Sequence, residues 1–138
     1  MLGQTAYVYP YGGVGVFKDF FGIEFSINQL HNYGAAWGLF RDYPIVLIVV
    51  RLFIFAGLTM YLFFNKESCS LFSFALILVL SGALGNIMAF FLYGYVVDMF
   101  HFVLWGYDYP IFNVADSLVC VGVALLFISS FKQSKRIS

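Results

Sequence analysis

Two aspartates lie in stretches of the sequence where a charged side chain is costly. Asp98 follows a stretch without charged residues, 68–97. Asp116 is the only charged residue between Asp108 and Lys132. An aspartate at the centre of a membrane-spanning helix costs about 2.5–3.5 kcal/mol on insertion scales, so such residues usually serve a function. These two carboxylates are therefore the first candidates for functional groups in this sequence.

A pair of carboxylates has a distinct chemistry when the two groups lie close together in surroundings of low polarity. Ionising both groups there has a high free-energy cost, so the pair tends to share one proton. Aspartic proteases use this arrangement: one carboxylate activates a water molecule while the other polarises the scissile carbonyl. If the elements that carry them are adjacent, Asp98 and Asp116 would form such a pair near one membrane surface.

Other interpretations explain the same residues without catalysis. Asn113 and Asp116 fit the start of a helix, with Asn113 as N-cap and the carboxylate satisfying free amide groups. Asp98 fits a solvated loop residue at a membrane interface. His31 and His101 could complete a metal site with the two aspartates, although no spaced ligand signature supports one.

The composition identifies a membrane protein. Of the 138 residues, 62% are hydrophobic and 10% are charged, and the mean hydropathy is +0.91. A soluble domain has about 25% charged residues. The net charge is zero, so no basic surface for nucleic acid is expected. We expect Cys69 and Cys120 to lie at different membrane depths, unpaired, and no metal or organic cofactor to be needed.

Three apolar runs are each long enough to cross a hydrocarbon core of about 30 Å at 1.5 Å per residue of helix. They are residues 44–64, 70–93 and 110–131. The sequence therefore predicts an all-α integral membrane protein with three transmembrane helices, forming one membrane domain over residues 1–138.

The remaining segments are predicted to lie outside the bilayer core. Residues 1–43 form an outer segment, in which the alternation of apolar and polar residues over 23–28 predicts a half-buried strand. Residues 94–109 are predicted to be a loop whose aromatic side chains favour the headgroup level.

The basic residues after the third run set the orientation. Lys132, Lys135 and Arg136 predict a cytoplasmic tail over residues 132–138. The 94–109 loop and residues 1–43 then lie on the outer side. Because no span precedes those first 43 residues, we expect an upstream helix that is missing from this chain.

Two polar residues interrupt the apolar runs. Arg51 is expected to extend towards headgroups with its stem along the helix; the alternative is an interior arginine paired with a carboxylate. Asn86 would need hydrogen-bond partners if buried.

Four short motifs contain most of these polar residues. They are Asn32-Tyr-Gly-Ala-Ala-Trp-Gly, Gly82-Ala-Leu-Gly-Asn86, Gly94-Tyr-Val-Val-Asp98 and Phe112-Asn113-Val-Ala-Asp116-Ser. In order and spacing, over about residues 30–120, the chain resembles the lipoprotein signal peptidase family, the type II signal peptidases of bacterial inner membranes.

The resemblance implies an aspartic endopeptidase with four transmembrane helices and a small β-cradle on the outer face. It implies cleavage of the signal peptide before the diacylglyceryl-modified cysteine of prolipoproteins, and inhibition by globomycin. We expect a monomer in contact with membrane lipids. The family's catalytic aspartates fall on Asp98 and Asp116. Its asparagines near the dyad and substrate fall on Asn32, Asn86 and Asn113.

The chain departs from the family pattern at two places. The family's first helix, with its Asp and Thr-Lys signature, is absent, as the topology also indicates. Ala89 and Phe90 stand where the family usually has an Asp-Arg pair. Two alternatives to the peptidase follow: a catalytically impaired homologue that binds lipoprotein precursors, and a small proton- or ion-handling membrane protein.

Overall fold

The computed structural model describes residues 10–33, 42–65 and 70–137. These residues form two compact units, one from the described parts of Met1–Asn32 and Val97–Asn113, the other from those of Tyr33–Val96 and Val114–Ser138. The first is a sheet unit and the second is a helical unit. Residues 34–38 of the first motif, and Cys69, lie outside the described residues.

The helical unit contains three long helices: α1 (Pro44–Phe64), α2 (Ser70–Tyr93) and α3 (Val114–Ile137). Pro44 starts α1, where its fixed φ suits the first turn and its missing N–H costs no hydrogen bond. Each helix contains a run apolar and long enough to cross a membrane, confirming the three predicted apolar helices. The bounds of α1 and α2 match the predicted segments.

Two glycines allow α2 and α3 to pack closely. A Cβ atom at Gly82 would lie 2.3 Å from the carbonyl oxygen of Ala115, and one at Gly122 would lie 2.8 Å from that of Ala75. Both distances are too short for a side chain, so each helix approaches the backbone of the other only because the glycines are there. The buried residues Ala75, Leu76 and Val79 line the same part of α2.

The sheet unit is built around a four-stranded sheet in the order β1 (Val14–Phe20), β2 (Ile23–Asn32), β3 (Val96–Leu104) and β4 (Tyr107–Asp108). The β1–β2 and β3–β4 pairs are antiparallel. The strand predicted at residues 23–28 is therefore present, and it extends to Asn32.

Aromatic side chains form one face of this sheet. The ring of Phe102 stacks on Phe25 at 4.5 Å between centroids and on Phe112 at 6.0 Å. Phe100 also contacts Phe25 and Phe112. Stacked and tilted ring pairs of this kind add roughly 0.5–1.5 kcal/mol each beyond the area they bury.

The prediction of a loop over residues 94–109 is wrong, because β3 and β4 occupy most of this segment. Aromatic side chains suit both a membrane interface and a strand. Phe102 packs within the sheet, whereas Trp105 and Tyr107 are exposed. The third helix, predicted from residue 110, begins at Val114 because Phe112 still pairs with Phe100 across a β-bridge.

The β3–β4 turn consists of Trp105 and Gly106, both with positive φ, 49° and 84°. Such two-residue turns match the twist of an antiparallel pair, but a tryptophan there is strained. Gly22 in the β1–β2 turn compensates: its carbonyl accepts a hydrogen bond from the Trp105 N–H at 2.8 Å, and the indole lies where a Cβ of residue 22 would be. The tips of the two hairpins therefore lie side by side, with Phe21 and Trp105 82% and 75% exposed.

Candidate active site

Asp98 lies within β3 and is only 2% exposed. Its Oδ1 accepts a hydrogen bond from the side-chain amide of Asn113, and its Oδ2 accepts one from that of Asn32, both at 2.8 Å. The interpretation of Asp98 as a solvated loop residue is therefore wrong. Two amide donors, one on each oxygen, therefore fix the orientation of this carboxyl group.

The alternation of β3 is interrupted just after Asp98, where the N–H groups of Met99 and Phe100 both donate to the Phe112 carbonyl. Asp98 therefore need not follow the face of the phenylalanines further along the strand, and its partners come from the ends of neighbouring elements. Asn32 ends β2, and Asn113 immediately precedes α3. Three separate parts of the chain thus supply the carboxylate and its two amide donors.

Asp116 lies in the first turn of α3, in the helical unit. Its Oδ1 accepts a hydrogen bond from the Asn86 side-chain amide of α2 at 2.8 Å. The close approach of α2 and α3 at Gly82 makes this contact possible, since both residues lie within a turn or so of that crossing. The N-terminal end of a helix also favours a negative charge at this position.

A cavity of about 310 Å³ opens between helices of the same unit, next to Asp116. Its polar lining consists of Arg51, Asn86 and Asp116; the rest is apolar or weakly polar, from Ile54, Phe55, Leu58, Val79, Ala83, Val119 and Cys120. Arg51 is half-buried and contributes to this lining.

His101, further along β3, belongs to a polar network that the sequence did not reveal. His101, 1% exposed, has its Nδ1 3.4 Å from the Ser26 hydroxyl and its Nε2 2.5 Å from a carboxylate oxygen of Asp108. The Asn28 amide donates to the same hydroxyl at 3.0 Å. The alternation of polar Ser26 and Asn28 with apolar residues along β2 gives the only signal of this network.

The sequence left open a metal site formed by the two histidines and the two aspartates. Within the part of the chain that the structure describes, no three His, Cys, Asp or Glu side chains come close enough to hold a metal ion. His101 instead contacts Ser26 and Asp108.

Solved structures with the same fold are bacterial membrane enzymes. One, determined by the in meso method at 2.3 Å resolution, has a TM-score of 0.74 and 33% identity, covering 83% of this chain and 70% of that one. Another, at 1.9 Å resolution, has a TM-score of 0.69 and 34% identity, covering 87% and 76%. Three apolar helices together with a small sheet thus define a multi-pass membrane protein of this class.

Sequence relatives define the family. The family model described as Signal peptidase (SPase) II matches residues 5–132. The lipoprotein signal peptidase of Bacillus pumilus is 42% identical over 112 residues, covering 81% of this chain and 72% of that protein. That of Chlamydia pneumoniae is 41% identical over 114 residues, covering 82% and 68%. The chain belongs to the signal peptidase II family, and the resemblance drawn from the four motifs is confirmed.

Proposed function

We propose that this chain is an aspartic endopeptidase of the bacterial inner membrane. It removes the signal peptide from prolipoproteins by cleaving before the diacylglyceryl-modified cysteine. Membership of the signal peptidase II family supports a peptidase, and its relatives named lipoprotein signal peptidases support this substrate. The observation that carries the aspartic mechanism is that Asp98 and Asp116 each accept a hydrogen bond from an asparagine amide at 2.8 Å.

In this mechanism Asp98 and Asp116 share one proton and bind the attacking water. The ionised carboxylate takes a proton from the water as its oxygen attacks the scissile carbonyl carbon. The protonated carboxyl gives its proton to the carbonyl oxygen, which produces a neutral tetrahedral diol. Collapse of the diol breaks the C–N bond, and a proton passes to the leaving amine of the lipidated cysteine.

Asparagine suits this chemistry better than a cation would. The amides of Asn32 and Asn113 on Asp98, and of Asn86 on Asp116, orient the carboxylates without adding a positive charge. A cation hydrogen-bonded directly to a carboxylate in place of the amide would favour the ionised form of that group, whereas the reaction needs one of the two groups protonated. We therefore assign the three asparagines to the site as positioning and substrate-binding residues.

The orientation follows from charge and hydropathy. The basic residues after α3 support a cytoplasmic C-terminus, with the sheet unit and the active site near the outer face. The signal peptide would reach the aspartates from the lipid side, and holding it beside them supplies proximity worth several kcal/mol of barrier. We propose that the protein acts as a monomer.

The test is cleavage of a lipidated prolipoprotein by the purified chain in detergent or in proteoliposomes. Mass spectrometry should show a new N-terminus at the lipidated cysteine. Asp98→Asn and Asp116→Asn should each lower kcat on the order of 10³-fold or more, because each removes a group that transfers a proton.

Two results would contradict this assignment. Cleavage that survives in both variants would exclude the aspartic mechanism. Tight precursor binding without any product would instead indicate a catalytically impaired homologue, the interpretation suggested by Ala89 and Phe90.

A further inference from the structure

Arg51 is a charged residue inside an apolar helix. It lies seven residues into α1, about two helical turns from its start, with aliphatic residues on both sides. A charged side chain in the apolar part of a membrane-spanning helix is costly on insertion scales. A leucine would pack in the same helix without that cost, so packing alone does not account for Arg51.

The cavity in the helical unit gives Arg51 a defined environment. It shares the lining with Asn86 and Asp116, while most of the remaining wall is aliphatic or aromatic. Asp116 is one of the two proposed catalytic carboxylates. A guanidinium on this lining is therefore in a position to contact whatever occupies the cavity beside the reacting groups.

The lining selects the chemistry of the occupant. Apolar walls formed by Ile54, Phe55 and Val79 suit apolar side chains. A peptide segment in such a cavity also brings backbone carbonyl oxygens, which lose their water and need donors. A guanidinium offers five N–H donors in a rigid fork and always carries its charge, so it can serve such oxygens at membrane depth.

We propose that Arg51 is a substrate-binding residue. Its guanidinium donates hydrogen bonds to a backbone carbonyl oxygen of the signal peptide segment that occupies the cavity next to Asp116. This inference rests on the proposed function for the identity of the substrate. It adds a binding residue on α1 to the asparagines already assigned.

The test compares steady-state kinetics of the wild type, Arg51→Gln and Arg51→Lys on a lipidated prolipoprotein. Arg51→Gln should raise KM about 10- to 100-fold and change kcat less than about threefold, with an unchanged pH profile. Arg51→Lys should recover part of the loss, because a lysine keeps the charge and some donors but not the fork. Met60→Ala, an exposed α1 residue outside the cavity lining, should leave KM unchanged.

Two kinetic outcomes would overturn the proposal. An unchanged KM in both Arg51 variants would show that the guanidinium does not touch the substrate. A fall in kcat together with a displaced pH profile would show that Arg51 acts on the ionisation of Asp116 instead. Thermal unfolding of each variant in detergent identifies loss of fold, and Arg51→Met supplies an apolar replacement if the glutamine variant is unstable.

Direct binding separates this inference from the proposed function. In an Asp98→Asn background, the Kd of a fluorescent lipidated precursor should rise about 10- to 100-fold when Arg51→Gln is added. That rise would support the Arg51 assignment even if the wild type cleaved nothing. In a parallel competition, S-diacylglyceryl-cysteine methyl ester should bind the wild type and Arg51→Gln equally. If that competitor instead bound Arg51→Gln tenfold more weakly than the wild type, Arg51 would be assigned to the lipid esters and the proposal would be overturned.

Discussion

At the scale of single residues, the two candidate catalytic carboxylates stand in different surroundings. Asp98 is buried on a strand, with both oxygens accepting amide hydrogen bonds. Asp116 begins a helix and lines a cavity, with one oxygen accepting an amide hydrogen bond. Different surroundings allow two carboxyl groups to take different roles, one as acid and the other as base.

The Asn86 contact provides a residue-scale prediction. Asn86→Ala should lower kcat about 10- to 100-fold, because Asp116 loses the amide that orients it and small displacements of a catalytic group are costly. Initial rates on a lipidated prolipoprotein measure the effect. Asn65→Ala is the matched control: this exposed asparagine at the end of α1 donates a 3.3 Å hydrogen bond to the Tyr61 carbonyl and lies outside the cavity lining. Equal rates in the two variants would remove Asn86 from the site.

The sequence was informative about residues that stand out locally. Asp98 and Asp116 could be selected because charged residues are scarce around them, and Asn86 because it interrupts an apolar helix. His101 could not be interpreted in the same way, since its partner Ser26 lies 75 positions away. The period of a strand shows which face a residue occupies but not what lies opposite it.

At the scale of elements, the contact between α2 and α3 determines where Asp116 lies. Gly82→Ala should destabilise the protein by about 1–3 kcal/mol, because the added Cβ meets the backbone carbonyl of Ala115, which has little room to shift. Reversible unfolding in detergent would measure this change. Gly57→Ala in α1 is the control, since a Cβ there meets nothing within 4 Å. A Gly82→Ala protein as stable as the control would show that α2 and α3 do not pack closely at Gly82.

The polar network of the sheet makes a second prediction at this scale. His101→Phe should cost about 1–3 kcal/mol of sheet stability, since the buried Ser26 hydroxyl loses a partner. Ser26→Ala in the His101→Phe background should then cost less than in the wild type. A double-mutant cycle by chemical denaturation measures the coupling, about 0.5–3 kcal/mol for residues in one network. If the unfolding free-energy changes of the two single variants simply add in the double variant, the two side chains do not interact.

Helices were easier to predict than strands for a physical reason. A run of about twenty apolar residues has few alternatives to a spanning helix, so α1 and α2 have the expected bounds. The valines and phenylalanines of β3 suit a strand and a membrane interface equally well, and only the rings of Phe25 and Phe112 decide between them. Those contacts come from elsewhere in the chain.

At the scale of the whole molecule, the basic residues at the end of α3 predict the membrane topology. We predict that a reporter fused to the C-terminus stays in the cytoplasm, because three basic residues follow the apolar part of α3. A fusion to green fluorescent protein should fluoresce, and one to alkaline phosphatase should be inactive. Replacing Lys132, Lys135 and Arg136 by glutamine should weaken this preference. The reverse pattern of reporter activity would invert the orientation.

The paired hairpin tips of the sheet unit have a practical consequence. Phe20, Phe21 and Trp105 leave a contiguous apolar corner exposed, held in place by the hydrogen bond between Trp105 and Gly22. Aromatic rings of this kind settle among lipid headgroups. With Trp37 replaced by phenylalanine, the remaining indole becomes a built-in fluorophore: brominated lipids would quench it if the corner dips into the bilayer, and iodide would quench it if the corner faces water.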